Sequence, residues 1–94
     1  MIVHIKTYDV ESLGTSLDWI RERADQLRAI DGLERFEVIT QDHPPQGGSI
    51  LYFSSREAHE RYRNEHLPGL EQEIEATDWF EGRGTNSVYR VEEI

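Results

Sequence analysis

Ninety-four residues make one small core and leave no room for a second. Acidic residues number 19 against 10 Lys plus Arg, a formal net charge of -9, so contact with a nucleic-acid backbone or an anionic membrane surface is repulsive from the outset. With no cysteine in the chain, a disulfide framework, a thiolate nucleophile and a Cys-ligated zinc or iron–sulfur site are excluded.

No apolar run exceeds a few residues, Ile50 to Phe53 being typical, and the first residues form neither a basic nor an apolar leader. The expectation is a cytoplasmic protein folded as a single domain over residues 1–94. Hydrophobic residues make up 36%, which is thin for a monomer that must offset its own chain entropy. A domain this small buries roughly 60–65% of its unfolded surface, so sharing a sheet face with a second copy would add to its stability. Nine of the ten cationic residues are Arg, and Lys6 is the sole lysine.

Ile2 to Tyr8 alternates as a strand, with Val3 and Ile5 on one face and His4, Lys6 and Tyr8 on the other. Gly14-Thr15-Ser16 offers a loop and a helix N-cap, with Asp18 in the first turn. Leu17, Ile20, Ala24 and Leu27 then recur at three- and four-residue steps, predicting a helix over 16–30 with Trp19 beside its apolar stripe. Asp31-Gly32 ends that helix. Phe36 to Thr40 and Ser49 to Phe53 read as strands. Between them the Pro and Gly of residues 41–48 predict a long hairpin loop.

Ser54-Ser55-Arg56-Glu57 fits a capping box that opens a second helix at Ser54. Pro68-Gly69 interrupts it, and Leu70 to Ala76 resumes with Leu70 and Ile74 inward. Thr85 to Val91 is the last strand. The order β-α-β-β-α-β predicts an α+β, ferredoxin-like split fold: a four-stranded antiparallel sheet with both helices on one face. The bare sheet face should then carry at least two of Tyr8, Tyr52 and Tyr89, a patch that a second protomer would cover.

The stretch from Tyr52 to Leu67 (Tyr-Phe-Ser-Ser-Arg-Glu-Ala-His-Glu-Arg-Tyr-Arg-Asn-Glu-His-Leu) resembles the dimeric α/β-barrel superfamily, and within it the antibiotic-biosynthesis-monooxygenase-like domains. The shared pattern is an aromatic strand end, a Ser cap, Glu-Ala, then an aromatic residue and a His along the helix. Asp31 to Val38 is similar to that family's second strand, with Asp31 where Pro is usual. The resemblance implies a homodimer whose sheets pack face to face, with a small-molecule pocket between helices and sheet in each protomer. Relatives of this kind include cofactor-independent oxygenases acting on polycyclic phenols or quinols, haem-degrading oxygenases, and isomerases or cyclases. No cofactor is expected, and fold membership alone does not assign the chemistry.

On the second helix Ala58, Tyr62 and His66 fall at four-residue steps, and His59 lies seven before His66. A shared face would gather two imidazoles and a phenol, which are acid/base groups near neutral pH. His66, His59 and Tyr62 are therefore the catalytic candidates, with His4, Lys6 and Trp19 as substrate-binding candidates. The plainer reading makes them boundary residues whose polar atoms are satisfied by backbone or water, with His4 packed between two sheets.

Relatives of the stress-responsive α/β-barrel kind set a first-strand His against a Tyr and a His on the second helix. His4, Tyr62 and His66 match those residue types, although the Tyr-to-His spacing here is shorter. In haem-degrading relatives the matching positions carry Asn, Trp and His. Here they fall on Lys6, Tyr62 and the neighbourhood of Glu71, so that arrangement does not fit.

His59-Glu60 opens like a zincin motif, but Arg63 stands four residues after His59, and no metal site is expected. Trp79-Phe80 adds an aromatic pair after the second helix. Arg56, Arg61 and Arg63 alternate with Glu57, Glu60 and Glu65 as a solvated face. Three readings follow: a cofactor-independent monooxygenase-like protein acting on an aromatic, quinol-type molecule; a cyclase or isomerase using His4 and His66; and a non-catalytic dimeric binding domain.

Overall fold

Burial alternates along the first strand, β1 (Ile2–Val10), so that His4, Lys6, Tyr8 and Val10 are buried on one side while Ile5, Thr7 and Asp9 remain partly open on the other. The computed structural model describes residues 1–92. Residues 93 and 94, the end of the expected 1–94 domain, lie outside the described residues, as do the side chains of Gly82 and Arg83. Strands β2 (Leu33–Asp42), β3 (Pro45–Phe53) and β4 (Phe80–Arg90) complete a sheet of order β2-β3-β1-β4, every pairing antiparallel. Both helical segments cover the face that carries His4, Lys6 and Tyr8. This is the ferredoxin-like arrangement that the element order predicts.

The first helical segment starts earlier than its sequence cues. It comprises α1 (Leu13–Glu22) and α2 (Ala24–Arg28), broken at Arg23, and its N-cap is Ser12 with extended backbone and no side-chain cap bond. Gly14, Thr15 and Ser16 lie inside the first turns, where the Ser16 hydroxyl donates to the Leu13 carbonyl at 2.9 Å. The buried stripe is Ser16, Trp19, Ile20 and Leu27. Trp19 is thus part of the core, packed on Trp79 with ring centroids 5.9 Å apart, rather than beside it.

The long hairpin loop is not formed. Strands β2 and β3 pair down to Asp42 opposite Pro45, leaving only His43 and Pro44, joined by a cis peptide, to make the turn. Gly48, read in sequence as a breaker, lies opposite Thr7 where β3 runs tightly against β1: a Cβ there would lie 2.2 Å from the Lys6 carbonyl oxygen. Glycine inside a strand marks this kind of close approach.

The second helical segment comprises α3 (Arg56–Arg61), a π-helical turn (Tyr62–His66) and α4 (Leu67–Glu75). Its cap is Ser55 rather than Ser54, the Ser55 hydroxyl accepting from the Ala58 N–H at 3.2 Å. Pro68 does not interrupt it. That residue sits in the first turn of α4, and the wider turn before it accommodates a ring and a missing donor that an unbroken α-helix would not.

On the bare sheet face, Val3 stands in register between Tyr52 and Tyr89, and Ile5 stands beside Ile50. Tyr89 is 57% exposed. Tyr8 belongs to the helix-covered face, so Tyr52 and Tyr89 are the two tyrosines of the open patch.

Gly32 ends the first helical segment at φ +81°, and a Cβ there would meet the Ala58 Cβ at 2.3 Å. Both the left-handed backbone and the packing of α3 onto this turn require glycine. Gly32→Ala should therefore lower stability by about 1–3 kcal/mol, read as a drop in the urea midpoint. An unchanged midpoint would mean that α3 does not bear on the turn.

Candidate active site

Two polar clusters lie under the helices, at adjacent positions of β1. The first is built on Lys6, whose side chain is only 8% exposed. Its Nζ meets a carboxylate oxygen of Glu71 on α4 at 3.3 Å, while the Glu71 side chain is 38% exposed. Lys6, Tyr8, Glu71, Ile74, Glu75, Phe80 and Gly84 line an open cleft of about 270 Å3 between α4 and the β1–β4 edge. Behind it Lys6, Tyr8, Trp19, Leu51 and Tyr62 border an inner void of only about 20 Å3, room for about one water. The helix–sheet space is thus filled at its centre and open at one side.

The second cluster is built on His4, which is 1% exposed, and His59 of α3, which is 4% exposed. His4 Nδ1 lies 2.9 Å from His59 Nε2, and His4 Nε2 lies 2.8 Å from the amide oxygen of Asn86 on β4. An amide oxygen only accepts, so His4 donates from Nε2. With the His4 ring neutral, its Nδ1 accepts and His59 donates from Nε2. Tyr62 packs edge-on to His4 at 5.5 Å, and Phe53 closes over His59 at 5.3 Å.

Burial is the leading cause that pushes both imidazoles below the ordinary histidine value. For His4 the neighbouring Lys6 and Arg63 charges add to it, while the Asn86 bond and Glu71 oppose it; for His59 the additions come from His4 and Arg63, opposed by Glu60. Burial also raises the two phenols, Tyr8 to about 12 and Tyr62 above the usual tyrosine range. None of the four is set up to be charged at neutral pH.

The predicted stripe of His59, Tyr62 and His66 is only partly assembled. His59 and Tyr62 are buried, but His66 is exposed, its ring stacked 6.5 Å from the outer side of Tyr62 and bordering a shallow groove with Leu27, Ile30 and Leu70. The π turn is the reason. It inserts an extra residue, so the inward place one turn after Tyr62 goes to Leu67, five residues on, rather than to His66. His4 consequently faces His59 and not His66, and it lies under the helices rather than between two sheets. Lys6 and Trp19 both reach the helix–sheet space, Lys6 at the cleft and Trp19 at the inner void.

Glu71 and Asn86 were not singled out from sequence as polar site residues. Glu71 carried a readable signal: it stands four after Leu67 and three before Ile74, an acid on an inward stripe. Asn86 carried none, because only the β1–β4 register that sets it opposite Lys6 brings it to His4. Among the described residues, no three metal-binding side chains cluster.

The histidine pair makes stability depend on pH with a definite sign. In the unfolded chain both titrate near 6.5, and in the fold both lie lower. Below 6.5 the unfolded state therefore binds protons that the fold refuses. The contribution is complete above 6.5 and is lost as pH falls through the folded values. Urea midpoints should fall between about pH 7 and pH 5, and His59→Gln, which keeps a donor toward His4, should flatten that slope. A slope unchanged by the substitution would place the titration elsewhere.

No family model matches the sequence, and no curated protein matches it. Solved structures do match in fold. A protein of unknown function from Nitrosomonas europaea superposes at TM-score 0.80 and 9% identity, over 99% of this chain and 90% of that one. A monooxygenase from Streptomyces coelicolor, solved with the ligand nanaomycin D, superposes at 0.73 and 13% over 99% and 88%. The cofactor-independent oxygenase SnoaB from Streptomyces nogalater superposes at 0.70 and 10% over 99% and 94%. The chain has the ferredoxin-like fold of the antibiotic biosynthesis monooxygenases.

Proposed function

We propose that this chain is a small cofactor-independent monooxygenase-like protein acting on an aromatic, quinol-type molecule held between α4 and the sheet. The observation that carries this reading is the side-opening cleft, where one ammonium and one carboxylate meet in a lining that includes Tyr8 and Phe80. At about 270 Å3 the cleft falls just below the roughly 300–1,000 Å3 of drug-sized sites, which suits a small flat ring system. The shared fold with oxygenases supports the same direction.

The chemistry asks for a base at the substrate hydroxyl. His66, the first candidate from sequence, faces solvent, and His59 is enclosed by His4, Phe53 and Tyr62 away from the cleft. Glu71 is the group placed to take the proton. The resulting electron-rich anion reduces dioxygen: a hydroquinone plus O2 gives a hydroxyquinone plus water, one oxygen atom entering the ring and the other leaving as water. The cyclase or isomerase reading needs His4 and His66 to converge, and the π turn separates their roles.

Oxygen uptake with simple hydroquinones tests the proposal. The protein should accelerate uptake, Glu71→Gln should reduce the rate by about 10²-fold or more, and His66→Ala should leave it unchanged. No acceleration, or equal rates for wild type and Glu71→Gln, would leave the non-catalytic binding reading in its place.

The proposed working unit is a homodimer joined through the open sheet face of Val3, Ile5, Ile50, Tyr52 and Tyr89. Tyr89→Glu sets a charge in the middle of that patch and should convert the dimer to a monomer in sedimentation. A wild-type chain that already sediments as a monomer would refute the dimer.

A further inference from the structure

The mechanism above leaves one group of the cleft without a role, the Lys6 ammonium. An ammonium carries three donors, and among the described residues Lys6 uses one, toward Glu71 at a long 3.3 Å. Lys6 is 7% exposed as a residue, yet it lines the cleft, so its remaining donors have the cleft as their outlet. Gly84 on the neighbouring strand β4 lines the cleft beside Nζ and carries no side chain to cover it; a Cβ there would lie in ordinary contact, 3.8 Å from Nζ. The two partners are unequal: the cation is fixed under the helices, while the carboxylate is more than a third exposed and can turn to water.

We infer that Lys6 Nζ is an oxyanion-binding point, at which the ring hydroxyl of the ligand binds as its phenolate in the place held by Glu71. This deepens the monooxygenase-like reading and rests on it. The proton leaves the hydroxyl oxygen for the Glu71 carboxylate; the O–H bond breaks, a Glu71 O–H bond forms, and the charge of the cleft is unchanged. A ligand that arrives already ionised would add a negative charge beside Glu71 and Glu75, four residues apart on α4, and like charges so placed repel. The ligand class is therefore a hydroxyarene that is neutral in solution and ionises on binding.

The probe is 4-nitrophenol, whose phenolate is coloured and whose electron-poor ring does not react with dioxygen. Bound to the wild-type protein it should ionise at a pH about one unit lower than free, a tenfold shift in its equilibrium. Lys6→Met should still bind the neutral phenol, read through tryptophan fluorescence, with the shift abolished or reversed because burial alone favours the neutral form. Lys6→Gln is the second variant should Lys6→Met not fold.

An unshifted bound probe, an equal shift in Lys6→Met or Lys6→Gln, or no binding to the wild type would each overturn the inference. A shift without oxygen uptake on hydroquinones would refute the catalytic reading and leave the oxyanion point standing.

Discussion

The site depends on a strand that turns a histidine and a lysine, rather than two aliphatic residues, toward the helical layer. Under α3 and α4 each polar group must find a partner or be expelled, because an unpaired buried charge or donor costs several kcal/mol. His4 is satisfied by His59 and Asn86, and the Lys6 charge is paired with Glu71. These contacts fix where α3, α4 and β4 sit over β1 more specifically than apolar packing would. No buried side-chain polar atom among the described residues lacks a partner.

The two clusters solve this problem in opposite ways. His4 and His59 escape charge altogether: neutral rings exchange one defined bond, and burial keeps them neutral. Lys6 stays at the boundary and takes its counter-ion from an exposed residue. A pair with one solvated member is easily exchanged, since water replaces what the carboxylate gives up. A closed neutral pair offers no such exit. Structural rigidity therefore belongs to the histidines, and an exchangeable partner to the lysine.

The fold was legible in the sequence because it rests on alternation and on two well-spaced amphipathic segments, and β1 in particular showed its two faces directly. The errors arose where a local cue competed with a tertiary one. Gly47 and Gly48 read as loop residues, although both lie within β3, where Gly48 runs tightly against the β1 backbone and Gly47 leaves room for the side chains of Ser16 and Tyr8. Ser16 read as a cap, although Ser12 precedes it with the extended backbone a cap needs. The stripe of His59, Tyr62 and His66 assumed a constant helical period, and a single π turn moved its last member outward. A periodicity argument has no access to such a turn, whereas Pro68 just beyond it is the visible reason for one.

That turn also explains how one helical segment serves two purposes. Before it, α3 offers His59 to the closed cluster, which Tyr62 joins from the start of the turn itself; after it, α4 offers Glu71 and Ile74 to the cleft. An unbroken α-helix with Tyr62 inward would direct His66 inward four residues later. The inserted residue gives that place to Leu67, which is buried, and so carries Glu71, one helical turn further on, to Lys6. The chain bears an excess of nine negative charges, so carboxylates are abundant and a buried cation is not. What distinguishes Glu71 among the acids is its register relative to the only lysine.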